Sequence, residues 1–214
     1  MKASHTKRNT VQTAVTRRLA GPAFRERLLA VMDRKHHWGW PILMGPGIAT
    51  RQLAVHYQQE YQVYVRDFPV LLARVHGQNP PPEVRRMLAE NIYEEDTGRL
   101  SFGRSHPELF HEMMRGLGFD LDTFRRARLL PASAAYRKWL ERATAHCDWI
   151  IGAATMAIFV EGSVKDRKEI LEPSKPKSRE EIEAYVTAHP LVQYHGIDRA
   201  AMDLIRAHQK VEAG

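Results

Sequence analysis

Cysteine is almost missing from this chain: Cys147 stands alone among 214 residues. One thiol excludes an internal disulfide framework and any multi-cysteine zinc or iron–sulfur site, so metal chemistry, if present, rests on histidine and carboxylates. Long apolar runs are also missing. The continuous stretch Trp149 to Val160 falls well short of the ~18 uncharged apolar residues of a membrane span, and a soluble protein is expected. The first 21 residues carry basic side chains but neither an apolar signal region nor a small-residue cleavage site, which predicts a cytoplasmic location. Strand-period alternation of useful length is absent, as is any internal repeat. The net charge of +7 draws on Lys2, Lys7, Arg8, Arg17 and Arg18. It comes without the glycine and aromatic interleaving of single-strand binders, so a solvated basic face is expected and nucleic-acid binding is not.

What the chain does have is helical periodicity. Residues 22–34 open with Pro22 and place Phe24, Leu28, Leu29 and Met32 at helical spacing. A loop from His36 to Gly47, with Trp38, Trp40 and two prolines, either plugs a bundle end or contributes to a pocket. From Ile48 to Val75, Leu53, Tyr57, Glu60, Tyr64 and Phe68 share a face, and Pro69 should kink or divide the segment. After the break at QNPPP, helix 83–95 carries Val84, Leu88, Ile92 and Glu95 on one stripe. Further helices are predicted at 106–117, 120–128, within 131–160 as one long central helix, at 178–188 and at 197–213. The pattern predicts an all-α bundle of about seven or eight helices. Residues 1–21 form a basic tail or short helix, and 22–214 form a single helical domain.

Several of these apolar stripes end in a charged or ionisable residue, which is rarely buried without a partner. Glu95 lies seven residues after Leu88, while its neighbour Glu94 points about 100° away. His106 opens a stripe through Leu109 or Phe110, Met113 and Leu117. Glu161 closes the run ATMAIFVEG on the side of Ala154, Ala157 and Ile158. His208 and Glu212 extend Ile197, Ala201, Leu204 and Ile205, and Glu60 sits among Leu53, Tyr57 and Tyr64. Each has a bland alternative: a capping or hydrogen-bonded histidine at 106, a solvated helix end at Glu161, a frayed surface pair at His208 and Glu212, and an interior carboxylate paired with Tyr or Arg at Glu60. Carboxylates and two imidazoles that come from different helices and share the inward orientation are, however, what a di-iron or di-manganese carboxylate site in a bundle requires.

The succession "YQVYVRDFP", "NIYEEDTGR…SHPELF", "AIFVEGS" and "YHGID…LIRAHQKVEAG", from about residue 25 to 214, resembles the haem-oxygenase-like superfamily. That superfamily includes thiaminase II and pyrroloquinoline-quinone synthase C, and the pattern is most similar to its di-iron oxidases and oxygenases. The resemblance implies a haem-oxygenase-like helical bundle and a centre of two ferrous ions with dioxygen as co-substrate. It carries the metal ligands onto Glu95, His106, Glu161, His208 and Glu212, with Glu60 as an additional carboxylate. Glu212 takes a position where the family has Asp. The family's last His would fall one residue beyond Gly214, so the chain is expected to be cut short within its last core helix.

The expected function is therefore that of a non-haem di-iron, dioxygen-dependent oxidase or oxygenase acting on a small amino-acid or carboxylic-acid metabolite in biosynthesis. Tyr57, Tyr64 and Tyr93 are candidate pocket residues, and an arginine fork is the candidate carboxylate binder. The expected partner is a small-molecule substrate, with a homodimer allowed. The alternatives are a cofactor-free oxidase like pyrroloquinoline-quinone synthase C, a thiaminase-like enzyme for which Cys147 is the sole nucleophile candidate, or a non-enzymatic helical binding protein.

Overall fold

The computed structural model describes residues 21–35, 37–43, 45–161, 167–168 and 175–211. Among them every regular element is a helix: α1 (Gly21–Met32), α2 (Trp40–Leu43), α3 (Thr50–Val63), α4 (Phe68–His76), α5 (Pro82–Thr97), α6 (His106–Gly116), α7 (Leu121–Arg126), α8 (Pro131–Ala145), α9 (Trp149–Ala154), a π-helix (Thr155–Val160), α10 (Arg179–Ala188), α11 (Pro190–His195) and α12 (Asp203–Val211). The described residues thus form the all-α bundle that the periodicity predicts. No helix among the described residues is long and apolar enough to cross a membrane.

Proline sets much of the segmentation. It occupies the first turn of α4, α5, α6, α8 and α11, where its missing N–H is no loss and its fixed φ suits the helix. Pro69 therefore starts α4 and does not kink a continuous helix. The chain leaves α3 at Tyr64 and passes through a 3-10 turn at Val65–Asp67 before α4 begins.

The expected single helix over 131–160 is interrupted. The Thr144 hydroxyl bonds back to the Leu140 carbonyl at 2.8 Å, His146 leaves helical geometry, and Asp148 caps α9 by accepting from the Ile150 N–H at 2.9 Å. Nor is the second half of that segment buried all round, because Ile150, Ile151 and Phe159 are exposed. The expected helix 197–213 is likewise resolved into a 3-10 turn at Arg199–Ala201 and α12, with α11 preceding them unforeseen.

Two apolar cores result. The first gathers Tyr57 and Tyr61 of α3, Leu109, Phe110, Met113 and Met114 of α6, Phe124 of α7, Leu191 of α11, and Leu204 and Ala207 of α12. The second gathers Phe68, Leu71, Leu72 and Val75 of α4, Leu88 of α5, Leu140 of α8 and Met156 of the π-helix. Each fully buried Leu or Phe contributes roughly 1.5–3 kcal/mol through removal from water.

Polar anchors hold these layers together. Arg137 of α8 donates to the Val63 carbonyl at 3.0 Å and pairs with Asp67 at 2.9 Å, which pins α8 to the end of α3. Gln62 donates to the Phe124 carbonyl at 2.5 Å and fixes α7. Gly152 lets α9 approach closely, since a Cβ there would lie 2.8 Å from Val75 Cγ2 and 3.2 Å from the Ala143 carbonyl oxygen.

Candidate metal centre

The C-terminal end of α5 builds the first part of the site. Gly98, at φ 59°, adopts the left-handed conformation and donates its N–H to the Glu94 carbonyl at 2.6 Å. The chain then folds back so tightly that a Cβ at 98 would overlap the Arg104 backbone. This return lays residues 99–104 over α5, where the Leu100 N–H donates to Glu94 Oε2 at 2.7 Å and the Ser101 hydroxyl donates to Glu94 Oε1. Ser105 next opens α6 with a capping box: its N–H donates to the Glu108 carboxylate at 2.9 Å, and its hydroxyl accepts from the Glu108 N–H. His106 is consequently fixed as the first helical residue.

From that position the His106 ring reaches back to α5. Its Nδ1 lies 2.8 Å from Glu95 Oε1, and its Nε2 lies 3.5 Å from Glu94 Oε1. Nε2 is buried and makes no hydrogen bond of good geometry, which is also true of Nε2 of His111 and His195; at His106 the acids Glu94 and Glu95 stand beside the ring. His208 of α12 meets His106 edge to face, with ring centroids 5.2 Å apart. Three helices thus bring Glu94, Glu95, His106 and His208 together.

The charges in this cluster push its two imidazoles in opposite directions. Burial disfavours the His106 imidazolium, but the hydrogen bond and charge of Glu95, helped by Glu94, outweigh it and raise the pKa above the ordinary histidine value. Burial and the neighbouring His106 push His208 down to about 4, so it is neutral at physiological pH.

Helix periodicity singles out Glu95 as the inward acid, yet the structure buries Glu94 more deeply, at 3% exposed. Periodicity describes one face of α5, whereas the returning loop covers a second. The sequence does carry a signal for this in EEDTGRLS, where a glycine at the helix end is followed by a serine within reach of the preceding acids.

A second acidic cluster lies on α3. The Tyr64 hydroxyl donates to Glu60 Oε1 at 2.7 Å, and His56 Nε2 lies 3.6 Å from Glu60 Oε2. Burial, the charge and hydrogen bond of Glu60, and the charge of Glu161 all raise the Tyr64 pKa well above the ordinary phenol range. Glu161 therefore stands within electrostatic reach of this group. It follows a π-helix, and its N–H donates five residues back to the Met156 carbonyl at 3.1 Å. The inserted residue rotates the register: Gly152, Thr155 and Met156 face inward, Ala157 faces out, and Glu161 is exposed. The inward side expected for Ala154, Ala157 and Ile158 is displaced for that reason.

The three candidate tyrosines occupy different surroundings. Tyr57 is buried against Phe110 in the first core, and burial raises its pKa. Tyr64 belongs to the Glu60 cluster. Tyr93 is half-exposed and lines a groove of about 330 Å³ between α4 and α5, beside His76 and Asp96. Glu212 lies outside the described residues.

Among the described residues, no three His, Cys, Asp or Glu side chains are arranged to hold one metal ion as they stand. The donor set nevertheless suits iron. A buried imidazole nitrogen makes no hydrogen bond of good geometry and faces Glu94 at 3.5 Å, a neutral imidazole adjoins it, and carboxylates supply hard oxygen and negative charge.

Residues 55–214 match a family described as iron-containing redox enzymes. The chain is also similar to a 4-aminobenzoate synthase of Chlamydia muridarum (strain MoPn / Nigg), 26% identical over 97 residues. That match covers 44% of this chain and 39% of the relative, so the similarity spans about two fifths of the relative's length.

Proposed function

The chain belongs to this family of iron-containing redox enzymes, and from that premise we propose that it is a non-haem di-iron, dioxygen-dependent oxidase or oxygenase acting on a small amino-acid or carboxylic-acid metabolite. The synthase named among its relatives supports a biosynthetic role. Glu95, His106 and His208 would hold iron on the α5–α6–α12 side. Glu161, Glu212 and Glu60 would complete the set. Bound iron supplies the activation of dioxygen.

The remaining work falls to the chain's own side chains. As the side chains stand, Glu95 holds the His106 ring through Nδ1 at 2.8 Å, the kind of carboxylate contact that fixes a metal-binding imidazole, and it would release that contact to bind iron itself. Glu94 is held by Leu100 and Ser101 and adds negative charge beside Nε2. Tyr64 keeps its proton on the phenol oxygen, where it is shared with Glu60. Burial of the first cluster keeps water from competing with these contacts.

The observation that carries the proposal is the convergence of Glu94, Glu95 and the neutral His208 on the buried His106 ring, whose Nε2 makes no hydrogen bond of good geometry. Elemental analysis after anaerobic loading with ferrous ion tests it. About two irons per chain are expected, with a transient absorbance on admission of dioxygen. Iron content unaffected by both His106→Ala and Glu161→Ala would reject the assignment.

A further inference from the structure

Outside both acidic clusters, α10, α12 and the returning loop enclose an open cleft of about 710 Å³, within the size range of small-molecule sites. Four cationic side chains, Lys177, Arg179, Arg206 and Lys210, line it against two carboxylates, Glu183 and Asp203. Both carboxylates are already committed. Glu183 accepts from Arg206 through both oxygens, at 2.6 and 2.9 Å, while Asp203 accepts from Arg206 at 3.0 Å and from Arg104 at 2.5 Å. The positive excess therefore resides on the other cations.

Two of these, Arg179 and Lys210, are exposed at the cleft. The Lys210 ammonium donates to the Ser101 carbonyl at 3.1 Å and lies 5.7 Å from the centre of the Phe102 ring. The same cleft is also lined by the apolar Phe102, Ile182 and Ala200. We infer that this cleft binds a small organic monocarboxylate, its charge between Arg179 and Lys210 and its apolar body against Phe102 and Ile182. An arginine fork and a lysine suit a carboxylate, and the apolar wall disfavours a fully hydrated inorganic anion.

The inference takes its ligand class from the proposed function but needs no iron. The cleft also adjoins the candidate metal centre through Ser101, whose carbonyl accepts from Lys210 and whose hydroxyl donates to Glu94. Lys210 lies two residues beyond His208 on the same helix.

The test is calorimetric titration of metal-free protein with benzoate, and with benzamide and inorganic phosphate as controls. Benzoate should bind, benzamide and phosphate at least about tenfold more weakly, and added salt should weaken binding. Arg179→Gln combined with Lys210→Gln, both at exposed positions, should weaken benzoate by about tenfold or more with cooperative thermal unfolding retained. Arg179→Gln alone should show a smaller loss in the same direction. No benzoate binding, equal binding of benzamide or phosphate, or undiminished benzoate binding in the variants would overturn the inference. Because iron is absent from the titration, its failure leaves the iron proposal standing, and a chain that takes up no iron can still pass it.

Discussion

The His106 cluster and the Glu60 cluster are both made of acids on helix faces, yet they are finished differently. Around His106, loop 99–104 covers Glu94 and the Ser105 cap fixes the imidazole, leaving one buried nitrogen without a hydrogen bond of good geometry. Around Glu60, the carboxylate is engaged by Tyr64 and His56, and Glu161, whose charge reaches Tyr64, follows the end of a π-helix. The first cluster is preorganised by backbone hydrogen bonds. The second depends on side chains that must exchange partners if they are to take a metal. On the proposed function, the His106 side would bind the first iron and the π-helix would be the element that adjusts.

That difference can be broken most severely at His106. His106→Ala should lower iron affinity by more than the about 10- to 100-fold that loss of an outer partner costs, whereas Glu60→Gln should leave at least one iron bound; competitive chelation measures both. Glu94→Ala comes next, because it strips the Leu100 N–H and Ser101 hydroxyl of their acceptor. A loss of about 2 kcal/mol in denaturant unfolding is expected, whereas loss of Glu60, whose partners are side chains, should cost less.

Gly152→Ala probes the base of the π-helix. Its Cβ would press on Val75 and the Ala143 carbonyl, and about 1–3 kcal/mol of destabilisation should appear in the same assay. Tyr64→Phe should cost about 1 kcal/mol and affect only the second cluster.

The pH dependence of metal-free protein sharpens the contrast without substituting the acids. The depressed His208 makes stability fall as pH drops from the ordinary histidine range toward about 4. The raised His106 contributes stability at lower pH that is lost as pH rises through its folded value. Histidine NMR titration should show the two well separated, and His208→Gln should flatten the acid limb of the unfolding midpoint against pH.

The helical class was legible because a 3.6-residue period repeats in nearly every segment, and Pro22 marked the first helix start. The pairing of Glu95 with His106 was legible as two residues on inward stripes, though the contact between them was not. Glu94 escaped because its burial comes from a loop whose path depends on Gly98. The Glu161 orientation shifted because a π-helix adds a residue to the turn, which an α-helical wheel does not count.

Sequence alone determined the fold class, the start of most helices, the exclusion of a multi-cysteine metal site, and the candidate residues, since local propensity and period act within a few residues. Tertiary structure decided which nitrogen of His106 lacks a partner, which acid is covered, and how Arg179 and Lys210 come to flank one cleft. Those outcomes depend on contacts between residues far apart in the chain, where packing and charge, rather than spacing, choose the neighbour.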